Sequence, residues 1–150
     1  MRELGREVRT GDCVVVMGAG NISEQATALA RDISVLEKLQ AAMGQGVARL
    51  YEPMSKHTTL RVGGPAQWWL EPESEEGFAA VVRFCAETGL SLTVVGRGSN
   101  LLVRDGGIHG VVVSLNRGDF RQVSVQGSFL VAGAGVKQKE LAHAARDGGV

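Results

Sequence analysis

VVGRGSNLLVRDGGIHGVVV, residues Val94 to Val113, is the stretch whose reading decides the architecture. Leu92 to Val95 reads as a short strand, and Gly96-Arg97-Gly98-Ser99-Asn100 as a tight polar loop. Leu101 to Val103 is extended again, and Gly106-Gly107 turns into a further strand from Val111 to Leu115. The loop lacks the Gly-Lys-Ser/Thr ending of a Walker loop. A strand rather than a helix follows it, so it is no Rossmann turn either. Two glycines around Arg97 suit a backbone nest whose N–H groups point at an anion. The Ser99 hydroxyl and Asn100 amide add donors. On spacing alone, an ordinary inter-strand loop is the slightly favoured reading of these residues.

Downstream, Phe120 to Val125 and Phe129 to Ala132 read as a hairpin about Gln126-Gly127. Gly133-Ala134-Gly135 then leads to a helix from Lys137 to Arg146. That glycine loop could bring backbone close to a flat ligand or simply join strand to helix. Upstream, Ser74 opens a helix with Glu75 and Glu76 in its first turn, where the helix dipole favours them. Phe78, Val81, Val82 and Cys85 have the spacing of a buried helical face, and Gly89 closes that helix. Thr58 to Val62 and Gln67 to Glu71 read as strands around Gly63-Gly64-Pro65. Tyr51 to Lys56, with Pro53, reads as a loop. Trp68 and Trp69 are adjacent, so a strand sends them to opposite sides, one to the core and the other to a surface or interface.

In the first third, Asp12 to Met17 reads as a buried strand and Gly18-Ala19-Gly20 as a turn. Asn21 with Glu24, and Ser34 with Glu37, mark the starts of two successive helices. Gly44 and Gly46 end the second. No returning strand completes a dinucleotide-binding unit here.

Composition narrows the function classes. Of 150 residues, 21 are glycine, roughly twice the ordinary share, and eleven of them lie between Gly96 and Gly149. Lys plus Arg is 16 and Asp plus Glu is 16, a formal net charge of zero, which disfavours a nucleic-acid-binding role. No apolar run has membrane-spanning length, and the charged N-terminus is no secretory signal. Cys13 and Cys85 read as buried free thiols of a reducing cytosol. No Cys or His has a partner at metal-ligand spacing. His57, His109 and His143 read as surface or turn histidines.

Three segments carry a resemblance. HTTLRVGGPA (His57 to Ala66), VVGRGSNLLVRDGGIHGVVV and VAGAGV (Val131 to Val136) occur in the order and spacing of the UDP-N-acetylenolpyruvoylglucosamine reductase family (MurB, UDP-N-acetylmuramate dehydrogenase). The similarity runs from about Ser34 to Val150. It implies an α+β, FAD-binding fold of the PCMH or vanillyl-alcohol-oxidase type, with domain boundaries at 1–33 and 34–150. It further implies a cytoplasmic, FAD-dependent enzyme of peptidoglycan precursor synthesis. Such an enzyme uses NADPH as hydride donor to reduce UDP-N-acetylenolpyruvoylglucosamine to UDP-N-acetylmuramate. By the same resemblance, the backbone of Gly96, Arg97, Gly98, Ser99 and Asn100, with Leu101 beside them, holds the flavin pyrophosphate; Arg97 stands where the family often has a small residue and is assigned no direct contact. Thr59, Gly63, Gly64, Gly133, Ala134 and Gly135 line the flavin. The family's catalytic serine, glutamate and arginine belong to regions beyond Val150, so no residue here is carried over as catalytic. Gly148-Gly149-Val150 reads as a helix cap followed by the start of another element, the pattern of a chain cut within a domain. A shorter segment, RTGDCVVVMGAGNISEQATALARDI (Arg9 to Ile33), resembles the C-terminal tail of UDP-N-acetylmuramate–alanine ligase (MurC). That implies a ligase–reductase fusion without ligase activity in this tail.

Overall fold

The computed structural model describes residues 2–8, 12–18 and 20–149. Ala19 of the expected turn, Arg9, Thr10 and Gly11 of the tail, and Val150 lie outside the described residues. The chain is α+β. A four-stranded sheet has the order β1-β2-β4-β3, built from β1 (Gly46–Pro53), β2 (Pro65–Pro72), β3 (Leu92–Val95) and β4 (Ile108–Ser114). β1 runs antiparallel to β2, while β2 and β3 are each parallel to β4. β4 is central because Val111, Val112 and Val113 are apolar on both faces and all fully buried, as a strand covered on two sides must be.

The two faces carry two cores. Leu50, Trp68, Leu70, Val111 and Val113 pack against helices α2 (Ile22–Met43) and α3 (Glu75–Thr88). Met54, Ala66, Trp69, Val95, Val103 and Val112 form the second core on the loop side. Between Ala66 and Trp68 the β4 partner advances from Ile108 to Val111, an extra residue on β4. Gly110 there has φ +101°, and its N–H donates to Gln67 Oε1 at 3.0 Å. This is how a bulge keeps a strand paired past an inserted residue.

Both adjacent tryptophans are buried, Trp68 at 5% and Trp69 at 1% exposure. The expectation of one surface tryptophan therefore fails, because the sheet is covered on both faces. Gly46–Pro53, read partly as loop, is an edge strand whose Pro53 sits at the ladder end opposite Pro65, where a missing N–H is tolerated. The two expected helices are one. Leu29, Asp32, Leu39 and Met43 are buried along a single stripe, and Ser34 is exposed within it. No Gly or Pro interrupts the run, so capping residues there have no break to cap. The expected boundary at 33/34 falls inside this helix.

Asp32 is itself a cross-link. It accepts from the Tyr51 hydroxyl and from Gln67 Nε2, and its carbonyl accepts from Trp68 Nε1 at 2.9 Å. A short helix α1 (Arg2–Glu7) lies on β1, with Arg6 Nε donating to Tyr51 O at 2.7 Å.

Residues 12–18 have no regular secondary structure, and Val15 and Met17 are exposed. The expected strand Asp12–Met17 is absent because an apolar run without a partner strand has no ladder to join. Cys13, expected buried, is exposed with it. Val82 is also exposed, although Val81 and Cys85 are buried as expected.

Ser74 caps α3, its hydroxyl accepting from Gly77 N–H at 3.1 Å, and Gly89 ends it in the left-handed conformation. The second sheet is the hairpin β5 (Val123–Gln126) and β6 (Phe129–Ala132), followed by α4 (Gln138–Gly148). Phe120, expected in a strand, sits in a 3-10 turn, Gly118–Arg121, and meets Phe78 of α3 edge-to-face. Thr58 to Val62 is a turn rather than a strand, closed by Thr58 Oγ1 donating to Val62 O at 2.8 Å. Leu101–Val103 pairs in no ladder.

Candidate flavin-binding cleft

A cleft of about 400 Å³ opens where β3 and β4 deliver the chain at their C-terminal ends, the usual ligand position in sheets with parallel strands. Gly96 and Arg97 follow β3, and Asn116 follows β4. His57, Thr58 and Thr59 form one wall, and Trp69 also lines the cavity. Arg121, Gly135 and Lys137 approach from the hairpin and the start of α4.

Two backbone contacts set this shape. Gly98 has φ +66°, and a side chain there would overlap the His57 carbonyl. Its own carbonyl accepts from Thr59 N–H at 3.1 Å, so the loops at 57–59 and 96–98 are stitched together. Gly135 N–H donates to Phe120 O at 2.8 Å, and a side chain at Gly135 would overlap Leu115 O. The hairpin loop is thereby held against the end of β4. Gly96 differs from both. Its φ lies outside the left-handed region, and no atom lies within 4 Å of where a Cβ would be. Folding does not demand glycine there, yet the residue lines the cleft, as expected where a ligand approaches backbone closely.

The lining is cationic. Lys56, Arg97, Arg121 and Lys137 contribute charge, and among the described residues no carboxylate lines the cavity. Lys56 is 3.6 Å from Glu52 Oε1, while Arg121 and Lys137 share Glu140 at 3.2 and 3.6 Å. Among the described residues Arg97 has neither an ion pair nor a hydrogen-bonding partner, and the Ser99 and Asn100 side chains have none. Asn116 Nδ2 donates to the buried Ser114 hydroxyl at 2.6 Å. The His57 ring stacks on Trp69 at 3.9 Å between centroids.

Of the residues singled out from sequence, Thr59, Gly96, Arg97 and Gly135 line this cleft, with Gly98 bracing it. Ser99 and Asn100 are exposed on the same loop, and Leu101 packs against the second core. Gly63 and Gly64 face inward: Gly63 lies against Val103 and Met54, and Gly64 against the Asp105 backbone. Gly133 and Ala134 line a neighbouring groove with Phe78, Leu115 and Phe120. Lys56, His57, Thr58, Trp69, Asn116, Arg121 and Lys137 were not singled out from sequence for this site. Lys56, His57 and Thr58 directly precede Thr59, whereas Trp69, Asn116, Arg121 and Lys137 come from separate parts of the chain, and no spacing rule joins them. Among the described residues there is no His/Cys/Asp/Glu group able to hold a metal ion and no helix long and apolar enough to cross a membrane.

One ion pair behind the cleft responds to acid. Burial pushes the Glu71 carboxyl up. Hydrogen bonds from Arg117 and the Trp69 indole, together with the Arg117 and Arg49 charges, outweigh that and hold it below the ordinary carboxylate value. The stabilisation is therefore present above the unfolded-state value and lost as pH falls through the depressed one. Arg117→Ala is expected to destabilise the protein at neutral pH by about 1 kcal/mol or less, the range for a partly exposed pair. Urea unfolding across pH checks this, since the difference must close in acid; a gap independent of pH contradicts it.

The fold and cleft define a class, an α+β domain with a cationic cleft at the C-terminal ends of its parallel strands. The chain belongs to the FAD binding domain family, whose match covers residues 66–150. It is 41% identical over 109 residues to the UDP-N-acetylenolpyruvoylglucosamine reductase of Desulforamulus reducens, covering 73% of this chain and 35% of that protein. It is 46% identical over 99 residues to the enzyme of the same name from Geobacter metallireducens, covering 66% and 33%. Among solved structures, it resembles UDP-N-acetylenolpyruvylglucosamine reductase (MurB) from Thermus caldophilus, with 31% identity and a TM-score of 0.48 over 69% of this chain and 34% of that one. The chain thus spans about a third of the length of these relatives.

Proposed function

We propose that this chain is the flavin-binding portion of a UDP-N-acetylmuramate dehydrogenase. In this reading the protein reduces UDP-N-acetylenolpyruvoylglucosamine with NADPH in the cytoplasm, for peptidoglycan precursor synthesis. The observation that carries the reading is the carboxylate-free, cationic cleft at the C-terminal ends of β3 and β4, bordered by a glycine that the fold itself does not require.

The residues present suit FAD. The backbone around Gly96 and Gly98, with Ser99 and Asn100, offers donors to a pyrophosphate, and Arg97 offers an unpaired charge. Thr59, Gly135 and the Gly133-Ala134 backbone border the remainder, and Gly64 ties the chain after that loop to Met54 and Arg104 through its backbone. When bound, the flavin supplies hydride acceptance and donation, chemistry that no side chain can provide. This chain's part is to bind it, orient it and offset its negative charge. The division into a ligase-like segment, 1–33, and a flavin-binding segment, 34–150, belongs to the same proposal. The family match, residues 66–150, lies wholly within the second of these segments.

The test is turnover by the full-length protein. It is expected to purify yellow and to oxidise NADPH only when the enolpyruvyl UDP-sugar is present. Oxidation indifferent to that sugar, or turnover of another substrate in its place, would favour a flavin module of a different oxidoreductase.

A further inference from the structure

We infer that His57 binds the anionic part of the ligand as a cation, and that buried Glu52 is the positioning residue that prepares it to do so. The inference rests on the proposal that the cleft holds FAD and adds a proton to it.

Glu52 is 5% exposed. One of its oxygens, Oε1, receives His57 Nε2 at 3.0 Å, Arg49 Nη1 at 3.3 Å and Lys56 Nζ at 3.6 Å. A carboxylate flanked by two permanent cations is acceptor-only, so Nε2 must carry the hydrogen in that bond. This fixes the tautomer. In neutral His57 the other nitrogen, Nδ1, bears a lone pair, which repels an anionic oxygen. In the cation Nδ1 becomes a second N–H donor. Among the described residues Nδ1 has no partner, and the ring lines the cleft while stacking on Trp69. Side-chain hydrogen bond and stack together leave the ring little freedom to turn away.

The groups around the ring set the direction of coupling. Glu52 favours the charged ring. Lys56 from the adjoining turn and Arg97 from the β3 loop oppose it, as do Arg121 and Lys137 across the cleft, whose charge Glu140 partly offsets. Arg49 acts through Glu52, and Glu71 on β2 is occupied by Arg117 and the Trp69 indole. A bound phosphate or pyrophosphate offsets the opposing cations and accepts from Nδ1. Binding therefore takes up a proton. Affinity thus weakens as pH rises, by at most about tenfold per unit for one coupled proton.

NMR of the His57 ring from about pH 5 to about pH 8, the range in which histidine changes charge, tests this with two probes, FAD and inorganic pyrophosphate. Both are expected to raise the ring's titration midpoint. His57→Gln, which keeps a donor toward Glu52, is expected to flatten the pH dependence of FAD affinity. Glu52→Gln is expected to lower the midpoint. A ring whose midpoint neither probe moves overturns the inference. So does FAD binding whose pH dependence survives in His57→Gln, although the flavin reading would then stand. A midpoint moved by pyrophosphate in a protein that does not bind FAD would uphold the inference and sink the flavin reading. A merely structural histidine would alter unfolding in His57→Gln and leave the pH slope unchanged.

Discussion

Trp69→Ala is expected to cost about 3–5 kcal/mol, the range for emptying a buried aromatic site. That is a large part of the roughly 5–15 kcal/mol that holds a domain folded. The side chain is 1% exposed and packs with Met54, Ala66, Val95, Val103 and Val112. Its indole N–H donates to Glu71 at 3.0 Å, and its ring stacks on His57. Removing it therefore opens a cavity, leaves the Glu71 carboxylate short of one donor and lets the His57 ring move. Trp69→Phe keeps most of the volume and loses the indole N–H, so its cost is expected to be well below that of alanine. Urea midpoints of the two variants check both values. A loss below about 1 kcal/mol for alanine would mean that this second core contributes little.

Gly98→Ala is expected to be the most damaging small change in the cleft. At φ +66° a Cβ costs about 1–2 kcal/mol through backbone sterics, and here it would also overlap the His57 carbonyl. That carbonyl belongs to the same turn that donates Thr59 N–H to Gly98 O, so relief by movement breaks the stitch between the two loops. Stability is expected to fall by more than the φ term alone, and FAD affinity by about tenfold or more, since the unstitched loop no longer holds its backbone donors toward the cleft. Gly96→Ala is the matched control. It meets no atom and needs no left-handed backbone, so its unfolding midpoint is expected to stay at the wild-type value. Equal destabilisation by the two substitutions would contradict the assignment of distinct roles to the two glycines.

Much of this fold is legible in local sequence. Ser74, Glu75 and Gly89 mark α3 because capping chemistry is local, and the apolar run of β4 marks a central strand. β1 is obscured because its inward positions include Glu52, a carboxylate paired with Arg49, Lys56 and the His57 ring rather than packed in a core. The α2 helix is misread because Ser34 has capping chemistry but sits on the exposed face of an unbroken helix. The tryptophan pair is misjudged because a sheet covered on both faces buries both. In the cleft, the glycine loops announce themselves through composition. The cations at Lys56, Arg121 and Lys137 do not, since only the approach of the 57–59 turn, the β3 loop and the hairpin brings them beside Arg97. Gly63 and Gly64 illustrate the converse: they stand in a motif yet serve packing against Val103 and Asp105.

The central claim is that this cationic cleft holds FAD. An equilibrium FAD titration, followed by flavin fluorescence, compares the wild-type protein with Arg97→Glu and with Arg83→Glu, an exposed position on α3. The account predicts one FAD per chain and affinity that weakens with added salt. It predicts about tenfold or greater loss in Arg97→Glu and no loss in Arg83→Glu. A folded protein that binds no FAD, or binds it equally well in all three forms, would contradict it.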